Sequence, residues 1–202
     1  MKFQEDNIYH ISNRGNNKQK IFFIEENYYF FLKKMQKELN SFASILAYCL
    51  MPNHFHLMVY VKPMQTGQAI SSRQTSADIN SHPLVRKIGT LLSSYTRAIN
   101  IQENRTGSLF QQKTKSKCLN CEESSFLQVL TCLHYIHQNP IRAGLVNKLE
   151  GWQFSSFNEY VSENILGLCN KKFVLQVLNI DANKFYNESY NAIDPMYLKR
   201  IW

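Results

Sequence analysis

The sequence predicts an α+β domain: an antiparallel sheet of split βαβ units with helices on one face, followed by a helical C-terminal extension. Three observations carry this. Strand-like stretches recur at residues 7–14, 44–51 and from His54 onward. With the helical patterns and a later extended piece, the order reads strand, helix, strand, strand, helix, strand, helix. No internal repeat and no second hydrophobic core is evident in the text of the chain.

Asn7 to Arg14 alternates polar and apolar residues, the signature of a first strand, and Gly15-Asn16-Asn17 is a turn. Glu25 to about Ser41 opens with acidic residues, lacks Gly and Pro, and reads as a helix. Ser44 to Met51 is a second strand, and Pro52-Asn53 links it tightly to a third. Residues 63–82 hold few large apolar side chains and read as a flexible loop. Pro83 opens a helix to about Asn100, with Leu84, Ile88, Leu91, Leu92 and Tyr95 on the buried stripe. A further extended piece starts at Gly107, and Glu122 to Asn139 is a helix that Pro140 ends. The first six elements match a ferredoxin-like sheet with helices packed on one side. Residues 1–150 form this domain, and residues 151–202 dock on it as an extension with a helix near Lys171–Leu178.

A chain of 202 residues with 44% hydrophobic content is long enough to bury a core. Lys and Arg number 23 against 15 for Asp and Glu, a net +8 that suits a polyanion, nucleic acid before membrane. No apolar run has transmembrane length and the polar start is no signal peptide, so a cytoplasmic protein is expected. Five cysteines without a signal peptide argue for reduced thiols. Cys118, Cys121, His134 and His137 approach a zinc-finger spacing, but the final gap is one residue short.

The chemistry concentrates in two places. In the third strand, His54 and His56 flank Phe55, so the two imidazoles share one face and form a candidate metal pair. Leu57, Val59 and Val61 are read as continuing the histidine face, and Met58 and Tyr60 the Phe55 face. In the last long helix, Tyr135 and Asn139 are four apart and share a face. A phenol can attack phosphorus and leave a phosphotyrosine. His54, His56 and the Asn139 oxygen would leave open positions on Mg²⁺ or Mn²⁺ for water and phosphate. Taken singly, each of these residues has a bland reading as core or surface. Lys113, Lys115 and Lys117 alternate on one strand face, a phosphate-tracking stripe or a solvated edge. Arg14, Arg97, Arg105 and Arg142 complete the DNA-binding candidates.

Four blocks carry a family resemblance: Tyr9 to Asn16 (YHISNRGN), Tyr48 to Leu57 (YCLMPNHFHL), Gly107 to Gln111 (GSLFQ) and Tyr135 to Val146 (YIHQNPIRAGLV). Trp152 with Ser155-Ser156-Phe157 adds a weaker fifth. In these blocks, over residues 7–160, the chain resembles the HUH single-tyrosine transposases, in particular the REP-associated tyrosine transposases. The resemblance implies a nuclease core that cuts single-stranded DNA beside a hairpin. Tyrosine becomes joined to the 5′ phosphate, a 3′ hydroxyl is released, and a second 3′ hydroxyl reseals. By position it makes His54 and His56 metal ligands, Tyr135 the nucleophile and Asn139 the third ligand. It implies a nucleoid-associated enzyme acting as a monomer or homodimer. A domesticated hairpin-DNA binder that no longer cleaves is the alternative. A small-molecule metal phosphoesterase, with Tyr135 structural, fits the charge less well. Should Tyr135 not be the nucleophile, Tyr95 and Tyr160 are next in line.

Overall fold

The computed structural model describes residues 1–64, 82–121, 125–162, 167–193 and 195–199. Nearly all of the polar loop expected at 63–82 lies outside them. The main elements are β1 (Ile8–Arg14), α1 (Glu25–Leu39), β2 (Ala43–Met51), β3 (His54–Val61), α2 (Pro83–Gln102), β4 (Lys115–Cys118) and α3 (Ser125–Arg142). Four short helices follow: α4 (Phe157–Val161), α5 (Lys171–Val177), α6 (Ala182–Glu188) and α7 (Pro195–Leu198). The strands run in the order β2-β3-β1-β4, each pair antiparallel, which is the split βαβ arrangement expected.

One face of the sheet is largely apolar. Tyr9, Ile11, Phe55, Leu57, Val59 and Val61 meet Phe31, Met35 and Leu39 of α1 and Leu84, Ile88, Leu91 and Tyr95 of α2. Both helices are thus on one side. The start of α1 is fixed by Asn27, whose side-chain oxygen accepts from the Phe23 and Ile24 amides, with Glu25 and Glu26 in the positive first turn.

The opposite face differs from expectation. It carries a second apolar cluster, in which Ile8, Leu46, Ala47, Cys49, Met51 and Met58 pack against Val129, Cys132, Leu133 and Ile136 of α3. The side-chain parity of β3 is also the reverse of that expected beyond Phe55. Strict alternation through His54–Val61 places Met58 and Tyr60 with the histidines, and Leu57, Val59 and Val61 with Phe55. Pro140 lies inside α3 rather than ending it. It falls in the last turn; the helix ends at Arg142, and Gly144, two residues on, has a φ of +67° that suits glycine.

The C-terminal residues clamp α3 from outside. His134 Nδ1 lies 3.1 Å from Ser189 Oγ, and Gln138 donates to the Ser189 and Asn191 carbonyls at 2.9 and 2.8 Å. His137 Nε2 lies 2.8 Å from Ser156 Oγ. The Trp152/Ser155/Ser156 block is structural: Trp152 donates to the Leu50 carbonyl, and residues 154–156 hydrogen-bond along the outer edge of β2. Cys118 and Cys121 form a disulfide across a turn that brings their Cα atoms to 5.9 Å, contrary to the expected reduced thiols at these positions. With those sulfurs bonded to each other and both histidines engaged elsewhere, no zinc finger forms. Among the described residues, no helix is long and apolar enough to cross a membrane.

The buried histidines make stability depend on pH. Burial holds His134 down to about 4 and His137 to about 3, His137 with help from His134. The unfolded chain protonates them near about 6.5, so below that pH it binds more protons than the native state. Stability is therefore complete above about 6.5 and falls as pH drops toward 4, by about 1.4 kcal/mol per unit per histidine. The denaturant midpoint should drop between pH 7.5 and pH 5, and drop less in His134→Gln. Equal midpoints at the two pH values would contradict this.

Candidate DNA-processing site

Residues directly opposite in antiparallel strands share a face. Arg14 pairs with His54, Ser12 with His56 and Lys115, and His10 with Met58 and Lys117. The register therefore gathers Arg14, Ser12, His10, His54, His56, Lys115 and Lys117 onto the α3 face. Local geometry holds the end of β1 in place. A Cβ on Gly15 would come within 2.2 Å of the Gln19 carbonyl oxygen, so only glycine fits. The Gly15 amide donates to the Asn53 carbonyl at 2.8 Å, and the Gln111 amide donates to the Arg14 carbonyl at 2.9 Å. Asn13 donates to Gln111 O and Thr114 Oγ1, which ties β1 to the segment leading into β4.

Above this row stands Tyr135. A cleft of about 240 Å³ is lined by Ser12, Asn13, Arg14, His54, His56, Gln111, Lys113, Lys115 and Tyr135. Its charged members are all cationic. The Tyr135 ring meets His56 edge-on at 5.5 Å between centroids, and His54 meets His56 at 5.0 Å. All come from one chain. The Arg142 guanidinium lies 5.8 Å from the centre of the Tyr135 ring. Burial pushes the phenol up to about 12, while a side-chain hydrogen bond from Asn139 and the Arg142 charge pull it the other way. The resting phenol is thus protonated at neutral pH. Asn139 sits one turn on, its Nδ2 donating to the Tyr135 carbonyl at 2.8 Å, and it does not line the cleft.

Both strand histidines are neutral at neutral pH. Burial, then the nearby Arg14 charge, holds His54 down to about 4, and burial with the His10, His54 and Arg14 neighbours lowers His56 well below its ordinary value. Neutral imidazole is the form that binds metal. Among the described residues, no group of three or more His, Cys, Asp or Glu side chains is placed to hold a metal ion. A cation here would therefore need the two imidazoles plus neutral oxygen donors, a set that suits Mn²⁺ better than Mg²⁺.

A second cleft, of about 470 Å³, runs on from the first along β4, lined by Lys2, His10, Ser12, Lys113, Lys115 and Lys117 among others. The three lysines of the stripe therefore flank the tyrosine cleft. Arg97 and Arg105 do not: they line a separate hollow beside Ser93, Thr96 and Asn100 on α2, the helix that covers the other face of the sheet. The two substitute tyrosines are occupied in the core, Tyr95 donating to the Ile21 carbonyl and Tyr160 to the Leu46 carbonyl. Sequence reasoning missed His10, buried beside His56, and Lys2; only the alternation of Ile8–Arg14 could have placed His10 on this face.

No family model and no curated protein matches the chain. Among solved structures, it is similar to a REP-associated tyrosine transposase bound to a REP hairpin, with a TM-score of 0.56 and 16% identity over 83% of this chain and 87% of that one. This likeness establishes the fold. A bacterial tRNA(His) guanylyltransferase-like protein in complex with GTP aligns over 73% of each chain, at 8% identity and a TM-score of 0.38, too low to carry an argument.

The two basic groups can be told apart by salt dependence. Changing Lys113, Lys115 and Lys117 together to Gln should weaken binding of a short oligothymidylate and flatten its salt slope by about 0.7 per phosphate contact, about two units in all. Changing Arg97 and Arg105 to Gln should leave both quantities unchanged. The reverse pattern would move the strand path to α2.

Proposed function

We propose that the protein is a metal-dependent single-stranded DNA endonuclease and strand transferase, acting next to hairpins through a 5′-phosphotyrosine intermediate. The observation that carries this reading is the Tyr135 phenol, set against the His54/His56 pair in a cleft whose charged side chains are all cationic. The hairpin-bound transposase of the same fold adds to it. Among the described residues, no carboxylate lines the cleft to repel a phosphodiester, and a backbone passing through meets Arg14, Lys113 and Lys115.

In the first step the Tyr135 oxygen attacks phosphorus as its phenolic proton passes to water. The bond from phosphorus to the 3′ oxygen breaks, and that oxygen departs as a 3′ hydroxyl after taking a proton from water. The 5′ phosphate stays esterified to Tyr135. A 3′ hydroxyl from another strand reverses the exchange, so joining needs no external energy source. A divalent cation, Mg²⁺ or Mn²⁺, held by His54 and His56 and completed by neutral oxygen donors other than Asn139, which stands outside the cleft, would supply Lewis-acid stabilisation of charge on the phosphoryl oxygens. Arg142 and Asn139 both favour the phenolate, offsetting part of the cost of its burial. Because Tyr135 reaches the histidines of its own chain, a monomer contains the whole constellation. On this reading the enzyme works at the nucleoid.

Incubation with hairpin-containing single-stranded DNA and Mg²⁺ or Mn²⁺ should give a covalent adduct that survives a denaturing gel. Tyr135→Phe should abolish the adduct and keep hairpin affinity, because only a hydroxyl is removed. Hairpin binding by the wild type with no adduct under either metal would favour a binding protein that has lost cleavage.

A further inference from the structure

One basic group has no part in the cleft. Arg97 and Arg105 line a hollow of about 500 Å³ with Ser93, Thr96, Asn100 and Ile101. Ser93, Arg97 and Ile101 are exposed and follow one another at four-residue steps along one face of α2. The chain then folds back towards that face. The Arg105 amide donates to the Asn100 carbonyl at 2.9 Å, and Asn100 Nδ2 donates to the Gly107 carbonyl at 2.8 Å. This turn brings Arg105 to the same hollow as Arg97. Among the described residues, neither guanidinium is ion-paired, and no carboxylate and no aromatic ring lines the hollow.

The hollow and the cleft lie at the two ends of one short segment. The Ser108 and Leu109 carbonyls accept from Asn16, and Gln111, which lines the cleft, bonds to Arg14. Gln111 is six residues on from Arg105, so their Cα atoms are at most about 20 Å apart. The lysine stripe leaves the cleft the other way. Lys115 pairs with Ser12 and Lys117 with His10, toward the start of β1, whereas residues 108–111 lie at its end. Two basic runs thus stand at opposite exits of one cleft, and a single strand that continues into a hairpin has two parts to place. The hollow suits the duplex part. Its hydroxyl, amide and guanidinium side chains are the groups that hold phosphates. It lacks the rings on which unpaired bases stack. At about 3.4 Å per base pair, about six base pairs of stem cover the distance. We propose that Arg97 and Arg105 grip phosphates of the duplex stem of a hairpin whose single-stranded flank occupies the Tyr135 cleft. The proposal rests on reading that cleft as a DNA site, and adds where the stem lies.

Two hairpins with the same single-stranded flank and the same loop, one with a stem of about four base pairs and one of about twelve, separate this contact from the cleft. Binding is measured without divalent cation, so that the DNA stays intact. The wild type should bind the long stem more tightly. Raising the salt from about 50 to about 200 mM should shrink that preference about tenfold, the effect of two phosphate contacts. Changing Arg97 and Arg105 together to Gln should bring the long-stem hairpin to the affinity and salt slope of the short one, a slope change of about 1.8. Short-stem and oligothymidylate binding should stay as in the wild type, which also shows that the variant is folded. Equal wild-type affinity for both hairpins, or an unchanged long-stem preference in the variant, overturns the proposal. So does an equal loss on oligothymidylate, which would lay single strand over α2. If the double variant does not fold, Arg97→Gln alone, at an exposed helix position, should give about half of the slope change. No change there overturns the proposal. Failure of the cleft reading shows separately, as hairpin and oligothymidylate binding that is unaffected when Lys113, Lys115 and Lys117 become Gln.

Discussion

The site depends on the register of β4 against β1 and of β1 against β3. That register sets Lys115, Ser12 and His56 in one row across the sheet, Lys117, His10 and Met58 in the next, and Arg14 opposite His54. A slip of one residue would turn every one of these side chains to the other face, among the apolar side chains that meet α1 and α2. The pairing is secured at one end. Gly15 packs against the Gln19 carbonyl, its amide bonds to Asn53, and Asn13 and Arg14 bind the Gln111–Thr114 segment. The polar residues of the first block therefore act mainly by fixing where the histidines and lysines meet.

The tyrosine is held by a different physical arrangement. One flank of α3 buries Val129, Cys132, Leu133 and Ile136 against the sheet, and its outer flank is bonded to Ser189 and Asn191 of the extension. A helix gripped from two sides gives Tyr135 a fixed position above the histidines. The same burial raises the energy of its phenolate, which is why its pKa is pushed up to about 12. On the proposed chemistry, activation would come from positive charge brought near the oxygen. The Arg142 guanidinium and the cationic walls of the cleft already lean that way.

Much of this was legible from residue spacing. The His54-Phe55-His56 alternation placed two imidazoles together, the four-residue step placed Tyr135 with Asn139, and the run of elements predicted the sheet. Other features depend on contacts between distant segments and left weaker traces. His10 looks like an ordinary polar position of an alternating strand, and its partner His56 is 46 residues away. The burial of α3 on the far face follows from side chains of β2 and β3 that read as belonging to one core. Arg97 and Arg105 lie near the matched blocks in sequence but line a separate hollow on α2. The Cys118–Cys121 pairing was misjudged from the count of cysteines, because a local turn, and not the count, brings those two together.

The central claim is that Tyr135 is the nucleophile, and peptide mapping of the covalent product tests it most directly. Protein trapped on a hairpin-containing single strand in the presence of Mn²⁺ would be digested with protease and nuclease, and the nucleotide-bearing peptide identified by mass spectrometry. The account predicts a single modified peptide spanning Tyr135, with the 5′ phosphate on its phenol. An adduct on Tyr95 or Tyr160, or cleaved DNA carrying a free 5′ phosphate and no protein adduct, would contradict it.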